Sequence, residues 1–396
     1  MRFRSLAAIP ATVFAGTLLA LSLLLGAPPA AAQADKVAQG LALQAARAKF
    51  VVVKAKKVFY TKRWDMSGLP AYRPAQQVNG TIQVWGSNYI QDSNLGKYWE
   101  EGFRKYQPGA HIAFHMKTTL AAVPALVFGV ADVGVGRKIT FAEQLLYERY
   151  TGGDPLTVTA ATGSYNVTGW QPGYGIVVSK DNPLTCLSMQ QLDGIFGAER
   201  AGGWDGTSWH PEWARGPQGN TRTWGQLGLT GDWAQRPINP YGLNLRYHQA
   251  AEMSDLILQG SDKWNERLRI YANYVAKNGA LGRDLKADLA RDRYGIAWIA
   301  APTDKLPPQL KVLAISDRTG GRCIPYTMES IHDRTYPLFS QIYMFVNRGK
   351  DGAVKPLVRE FLRYVVSRQG QEAVERDGKY LPLTAQVAER QARKIH

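Results

Sequence analysis

Three short polar loops carry the residues that are best suited to bind an anion. They are Gly86-Ser87-Asn88, Lys117-Thr118-Thr119 and Gly136-Arg137. The first N–H groups of a helix have no partner within the helix, and the helix N-terminus is partially positive. Hydroxyl groups and a cation beside such N–H groups therefore predict an anion site. The alternative for Arg137 is an ion pair with a neighbour such as Glu143.

The segments around these loops alternate between strand and helix patterns. Strands are predicted at 81–86, 111–116 and 131–135, and helices at 95–106 and 120–128. This order is typical of a parallel α/β sheet, in which ligands bind at the carboxyl ends of the strands. The three polar loops occupy those ends, and we expect Asp132 to brace them rather than to bind a ligand.

No catalytic motif accompanies these loops. The sequence lacks a Walker loop, a dinucleotide fingerprint and metalloprotease spacing, and Gly163-Ser164-Tyr165 lacks the closing glycine of a nucleophile elbow. His111 and His115 have the i, i+4 spacing of a zinc pair, but they lie in an alternating strand without a third ligand. We therefore expect no enzyme, no cofactor and no metal. The alternative, a hydrolase, needs a Ser–His or metal constellation that the sequence does not display.

The first residues predict export. Arg2 and Arg4 precede the apolar run Ala15–Leu25, and Ala30-Ala31-Ala32 is a small-residue cleavage site, so a signal peptide is predicted at 1–32. The alternative is an uncleaved anchor. No later apolar run is long enough to cross a bilayer. We expect a mature monomer in the periplasm or secreted, with no membrane span after cleavage.

The whole chain is basic. Its formal charge is +16, or about +14 without the two arginines of the signal, and such a charge favours anionic partners. No zinc-finger, RRM or basic-zipper pattern accompanies the charge, so no nucleic-acid partner is expected. Seven of the cations lie between Arg47 and Arg63. This run either docks to an acidic partner or lipid surface, or forms a solvated, partly mobile extension.

At 396 residues the chain is long enough for two domains. A basic extension and linker is predicted at 33–80, a first lobe at 81–170 plus about 325–385, a second lobe at 171–324, and a basic tail at 386–396. In the second lobe, helices are predicted at 247–259 and 263–277.

Two features of the second lobe leave alternatives open. Cys186 and Cys323 are candidates for a disulfide in an exported protein, but the sequence does not show whether they meet. Five tryptophans crowd the Gly-rich insertion predicted at 198–235. Their rings either stack on a sugar or another planar ligand, or tether the insertion to the surface, which we favour. They are Trp204, Trp209, Trp213, Trp224 and Trp233.

With these elements in place, the chain resembles the periplasmic phosphate-binding proteins of phosphate ABC transporters over about residues 81–385. The resemblance rests on the strand into Gly86-Ser87, on the run 129–137, on the strand and helix of 174–197, and on the Tyr-Pro-Leu strand and C-terminal pattern of 336–382. It implies an α/β protein with the two-lobed type II periplasmic binding protein fold. Each lobe would be a mainly parallel sheet flanked by helices, with hinge crossings between the lobes.

The resemblance also implies a ligand set. Ser87, Asn88 and Tyr89 stand in the first binding loop, Thr118 and Thr119 in the second, and Arg137 at the end of the third strand. The second lobe departs from the family pattern, which has Ser-Gly-Thr after an arginine. The matching stretch, 236–246, keeps only the glycine, so Tyr241, Gly242 and Asn244 are the candidates there.

The implied function is capture of a small oxyanion, most simply phosphate, in a cleft between the lobes. Hinge closure would then present both lobes to an ABC transporter permease. Losing two hydroxyl donors costs several kcal/mol at about 1.5–3 kcal/mol each, which leaves two alternatives. One is a partner-binding or surface protein with a degenerate cleft, and the other is a binder of a different ligand stacked on the Trp-rich insertion.

Overall fold

The computed structural model describes residues 54–245, 247–271, 284–349 and 351–395. The predicted signal peptide and most of the basic run that ends at Arg63 lie outside these residues. Among the residues that are described, no helix is long and apolar enough to span a membrane.

The secondary structure alternates between strands and helices along most of the described chain. The strands, in chain order, are β1 (Gly80–Gly86), β2 (Ala110–His115), β3 (Val133–Gly136), β4 (Leu156–Thr162), β5 (Tyr174–Ser179), β6 (Cys186–Ser188), β7 (Gly203–Asp205), β8 (Ser208–His210), β9 (Asn239–Leu243), β10 (Arg269–Tyr271), β11 (Gly295–Ala300), β12 (Leu310–Val312), β13 (Ala314–Ser316) and β14 (Gln341–Val346).

The α-helices are α1 (Asn88–Asp92), α2 (Leu95–Arg104), α3 (Ala122–Val127), α4 (Phe141–Thr151), α5 (Met189–Phe196), α6 (His248–Ile257), α7 (Leu285–Leu289), α8 (Met328–His332), α9 (Pro356–Val365), α10 (Arg368–Asp377) and α11 (Ala385–Ile395). Short 3₁₀ turns occur at Thr119–Ala121, Pro211–Trp213, Pro217–Gly219, Trp224–Leu227 and Gly231–Trp233.

Two five-stranded sheets define two lobes. The first sheet has the order β2-β1-β3-β14-β4, and the second has the order β10-β9-β11-β5-β12. Strands β1, β2 and β3 pair in parallel, whereas β14 is antiparallel to both of its neighbours. In the second sheet β9, β10 and β11 pair in parallel, and β5 is antiparallel to β11 and β12. The predicted two-lobed α/β fold is confirmed, with an antiparallel strand entering each sheet.

The chain crosses between the lobes at 163–173, which joins β4 to β5, and again between β13 and β14. The second lobe is closed by the disulfide Cys186–Cys323, whose Cα atoms lie 6.0 Å apart. The pairing that the sequence left open is therefore present in the structure.

Apolar periodicity accounts for the helices that cover the first sheet. Helix α9 starts at Pro356, whose fixed φ suits the first helical position, and it buries Phe361, Leu362 and Val365 on one face. Helix α2 buries Trp99 and Phe103 in the same core. Fully burying such side chains contributes roughly 1.5–3 kcal/mol each. The residues predicted as a basic tail form most of α11, which buries Val387 and Ile395 and belongs to this lobe.

The helix predicted at 263–277 is wrong where the structure describes it. Residues Arg269–Tyr271 form β10, which pairs in parallel with β9 at the edge of the second sheet. Asn265 N–H donates to the carbonyl of Phe196 and its side chain donates to the carbonyl of Ile195, so the preceding residues are held in an irregular turn. Sheet pairing and these contacts override local helix preference, and the remaining residues, 272–277, lie outside the described chain.

The described part of the basic extension is tied to both lobes. Lys54 pairs with Asp304 at 3.2 Å, and Arg63 pairs with Glu375 at 2.8 Å. The hydroxyl of Tyr60 accepts hydrogen bonds from the backbone N–H groups of residues 165 and 166 in the crossing, and burial raises the pKa of Tyr60 to about 12. From Lys54 onward these contacts attach the extension to both lobes.

Candidate functional site

A cleft of about 330 Å³ lies between the lobes. Its first wall consists of the loops that follow β1, β2 and β3, together with the crossing 163–173. Its second wall consists of the β9–α6 loop, the start of α7 and the end of β11. The lining residues are Ser87, Tyr89, Thr118, Thr119, Leu120, Arg137, Thr168, Gly169, Gln171, Pro172, Leu243, Tyr247, His248, Gln249, Asp284, Leu285, Lys286, Ile299 and Ala300.

Ser87 is fixed by the close approach of two strands. Gly86 has φ +137°, and a Cβ built there would lie 1.9 Å from the carbonyl oxygen of Val135, so only glycine fits. The N–H of Ser87 donates to that same carbonyl at 2.9 Å. The side chain is buried, and its Oγ has no hydrogen-bond partner among the described residues. A buried hydroxyl is thus placed at the cleft without a partner from the described chain.

Of the two residues that follow Ser87, only Tyr89 lines the cleft. Asn88 is not among the lining residues, and its amide donates to Asp92 at 2.7 Å within α1. Tyr89 lines the cleft and is buried, with its ring centroid 5.0 Å from that of Trp170 in the crossing. Asp132 precedes β3, at the opposite end of the strand from the binding loops, and its carboxylate accepts the N–H of Gln83 within β1 at 2.9 Å, so it braces the strands and not the loops.

Thr118 and Thr119 line the same wall, half-buried, at the start of the turn that leads into α3. Gly136 permits this arrangement, because a Cβ at Gly136 would lie 2.7 Å from the methyl group of Thr119. The structure therefore brings Ser87, Tyr89, Thr118 and Thr119 together with Arg137, as the sequence predicted for the ends of three parallel strands.

Arg137 lines the cleft and also joins the two lobes. Its Nη1 donates to the carboxylate of Glu252 in α6 at 2.6 Å and to the hydroxyl of Tyr174 at 2.9 Å. The side chains of Arg137 and Glu252 are each only 8% exposed. Tyr174 also donates to Glu252, and burial raises its pKa well above the usual value. The partner of Arg137 is thus Glu252 of the other lobe, and the ion pair with Glu143 that the sequence offered as an alternative is not formed.

Two further ion pairs connect the same loop and helix. Lys138 pairs with Asp255 at 2.8 Å, and Glu143 pairs with His248 at 3.2 Å. Burial raises the pKa of Asp255, and Lys138 opposes that rise. Burial also opposes ionisation of Glu143, but hydrogen bonds from His248 and Thr140 outweigh it and lower the pKa of this carboxyl.

The three partners on α6 lie at positions i, i+4 and i+7, on one face of the helix. They face the segment 137–143 of the first lobe. We call these three ion pairs the interlobe clasp: Arg137–Glu252, Lys138–Asp255 and Glu143–His248.

The predicted second-lobe ligands lie outside the cleft wall. The Tyr241 hydroxyl donates to Asp292 at 2.7 Å, and its ring packs 5.7 Å from that of Tyr271. Gly242 lies against the indole of Trp298, where a Cβ would approach Nε1 to 2.5 Å. Asn244 is partly buried and is not among the lining residues. The residues that do line this wall come from 247–249, immediately after the predicted stretch, and from α7.

Gln171 was missed by sequence reasoning. It lies in the crossing, it is 1% exposed, and both its amide oxygen and its amide nitrogen are without hydrogen-bond partners among the described residues. Its φ of +49° is unusual for a residue other than glycine, and such backbone strain clusters at ligand sites. Only its position after a predicted strand end could have suggested a site.

Lys286 was also missed, because α7 follows the undescribed stretch 272–283 and has no motif. Its ammonium group donates to the backbone carbonyl of Pro302 at 3.3 Å and to that of Asp304. Burial lowers the pKa of Lys286, and the charge of Asp304 opposes the change. Lys286 therefore places a partly buried cation on the second wall.

The other sequence candidates lie away from the cleft. His115 bonds to Gln83 at 2.8 Å and stacks on Trp85, and the described residues contain no group of three metal-ligand side chains. In the insertion, Trp224 and Trp233 are buried against each other, whereas Trp209 is 45% exposed. The first two tether the insertion, since Trp224 donates to the carbonyl of Tyr294.

A sequence model described as the PBP superfamily domain matches residues 73–369. The chain belongs to this family. The periplasmic-binding-protein superfamily that the resemblance implied is thereby confirmed. A curated relative, the phosphate-binding protein PstS of Pseudomonas aeruginosa, is 29% identical to this chain over 329 residues. These residues cover 83% of this chain and 90% of the relative.

Solved structures also align with this chain. PstS from Borrelia burgdorferi is 14% identical, with 77% of this chain and 100% of that chain covered and a TM-score of 0.47. An ABC-type phosphate transport receptor from Vibrio cholerae is 18% identical, with 76% and 99% covered and a TM-score of 0.46.

Proposed function

We propose that the mature chain is an exported solute-binding protein that captures a small oxyanion, most simply phosphate, for an ABC transporter. Membership in the PBP family, the relative named PstS and the basic charge of the chain support this proposal. The predicted signal peptide supports a location outside the inner membrane.

The observation that carries the proposal is the buried hydroxyl of Ser87, which has no hydrogen-bond partner among the described residues and lines the cleft with Thr118 and Thr119. Burying a hydroxyl group without a partner costs about 1–3 kcal/mol. An oxyanion in the cleft accepts that hydroxyl hydrogen, and charge-assisted hydrogen bonds of this kind are the strong ones. The first wall is therefore a set of donors that a bound anion completes.

Capture by two lobes requires contacts from both walls. A ligand held by Ser87 and the threonines meets Lys286 and His248 only when the lobes are together. Such a ligand favours the closed state by the contacts that it makes in that state alone. The interlobe clasp contributes to the same closed state, and it holds Arg137 in position in the lining of the cleft.

Isothermal titration calorimetry of the mature protein with phosphate tests this proposal, after bound ligand has been removed by unfolding and refolding. We expect saturable binding that Ser87→Ala weakens roughly tenfold or more, because one charge-assisted hydrogen bond is worth about 1.5–3 kcal/mol. Ser208→Ala is the matched control, since Ser208 lies exposed in β8 and away from the cleft. Equal affinities for the two variants contradict the proposal, as does a folded protein that takes up neither phosphate nor a phosphate ester.

A further inference from the structure

The two walls of the cleft differ in chemistry. The first wall presents hydroxyl groups from Ser87, Thr118 and Thr119. The second wall presents aliphatic side chains in addition to the polar side chains of His248, Gln249, Asp284 and Lys286. The aliphatic ones are Leu243 at the end of β9, Leu285 at the start of α7 and Ile299 in β11. A ligand that fits both walls needs an anionic part and an apolar part.

The mouth of the cleft continues the apolar surface. Leu120 of the first lobe is 62% exposed, and Tyr247 of the second lobe is 39% exposed. When a ligand covers large apolar side chains at the rim of a pocket, it removes their surface from water, and this stabilises the complex. The apolar surface therefore extends from the second wall to the solvent.

The cleft is also larger than an inorganic oxyanion requires. The interlobe clasp holds the lobes in contact, so the volume of about 330 Å³ belongs to a cleft whose walls already meet. A tetrahedral anion has only five heavy atoms. Sites for organic ligands start at about 300 Å³.

We propose that the preferred ligand is an organic phosphate monoester rather than inorganic phosphate. The phosphate group is held at Ser87, Thr118 and Thr119, and the organic group lies against Leu243 and Ile299 towards Tyr247. This inference rests on the proposed function, because it keeps the oxyanion at the same hydroxyl groups. It also accounts for one of the two lost hydroxyl residues, since Leu243 takes a hydroxyl position on the wall that meets the organic group, whereas Tyr241 packs into the second sheet.

Calorimetric titration of the stripped mature protein with inorganic phosphate, methyl phosphate and phenyl phosphate tests the inference. We expect phenyl phosphate to bind at least roughly tenfold more tightly than inorganic phosphate, because its ring removes apolar surface from water on both sides. Methyl phosphate carries the same charge with little apolar area, so its affinity should lie close to that of inorganic phosphate.

Asparagine variants test which residues cause the preference for phenyl phosphate over inorganic phosphate. Leu243→Asn should reduce the ratio between the phenyl phosphate and inorganic phosphate affinities to near one, whereas Ile270→Asn should not change the ratio. Ile270 is 54% exposed in the same sheet and does not line the cleft. Leu120→Asn, at an exposed position of the mouth, is a second variant in case Leu243→Asn does not fold.

The outcomes separate the inference from the proposed function. Inorganic phosphate binding as tightly as phenyl phosphate overturns the inference and leaves the proposed function intact. Equal effects of the asparagine variants at the cleft and at Ile270 also overturn it. A folded protein that takes up none of the three ligands overturns both.

Discussion

The first wall of the cleft is built locally, whereas the second wall is assembled from distant parts of the chain. Ser87, Thr118, Thr119 and Arg137 all follow strands of one parallel β-α unit within about fifty residues. The second wall joins the β9–α6 loop, α7 and the end of β11, and the interlobe clasp joins it to the first. Sequence patterns therefore reveal the donors of the first wall. They do not reveal Glu252, the ion-pair partner of Arg137, because it comes from a distant part of the chain.

The largest expected effect concerns Arg137–Glu252, which is the most buried of the three ion pairs of the interlobe clasp. Glu252→Ala leaves Arg137 buried without its counter-charge, and breaking a buried pair from one side costs about 3–5 kcal/mol. Chemical denaturation measures the change in the free energy of unfolding. Glu266→Ala is the control, because Glu266 is 67% exposed and pairs with Arg222 at 3.7 Å, and it should change stability by less than about 0.5 kcal/mol.

Equal losses from Glu252→Ala and Glu266→Ala would show that the clasp does not hold Arg137. The double variant Arg137→Ala/Glu252→Ala sharpens the test. It should be less destabilised than the sum of the two single variants, because removing both charges leaves neither uncompensated.

Gln171→Met should move stability and affinity in opposite directions. Methionine has a similar length and removes two buried polar atoms that have no hydrogen-bond partner in the described part of the chain, so the ligand-free protein should gain about 1–2 kcal/mol of stability. Phosphate affinity should fall roughly tenfold, because the amide no longer reaches the ligand. Thermal unfolding and calorimetry measure the two effects.

Gln218→Met is the matched control, since Gln218 is exposed in the insertion and away from the cleft. A loss of stability in Gln171→Met would mean that the amide is satisfied within the fold and does not await a ligand.

The smallest expected effect tests the His248–Glu143 pair of the clasp. Glu143→Gln should lose about 1–2 kcal/mol of stability near neutral pH, since its charge-assisted hydrogen bonds are weakened. The pKa of Glu143 is lowered on folding. Its contribution is therefore present above the unfolded pKa of about 4.3 and is lost as the pH falls through the lower folded value.

Stability curves of the wild type and Glu143→Gln should consequently converge on acidification below about pH 4. Glu101→Gln, at a half-exposed position of α2, should parallel the wild type at every pH. A constant gap between Glu143→Gln and the wild type would exclude a contribution from the ionised carboxyl.

Local patterns predicted the first wall because strand, loop and helix follow each other within 81–137. Gly86 and Gly136 mark the close approaches that place Ser87 and Thr119. The partner of Arg137 could not be predicted, because Glu252 lies 115 residues further along the chain and only the contact between lobes brings the two together. Strand β10 was missed because pairing with β9 overrides a local helix pattern.

Gln171 is a second residue whose place in the site could not be predicted from the sequence. Its residue type does not indicate a site. It becomes a candidate because it is buried, its φ is strained and its amide has no hydrogen-bond partner among the described residues. The second wall was expected at Tyr241 and Gly242 from a family pattern, but these residues pack into the second sheet. The residues that line the cleft follow a few positions later, where α6 begins.

A crystal structure of the mature protein grown with phosphate tests the central claim most directly. We predict a tetrahedral anion in the cleft with one oxygen within hydrogen-bond distance of Ser87 Oγ and another near Thr118 or Thr119, and with the interlobe clasp intact. An empty cleft under saturating phosphate, or Ser87 Oγ bonded to a protein group while the anion lies elsewhere, would contradict it.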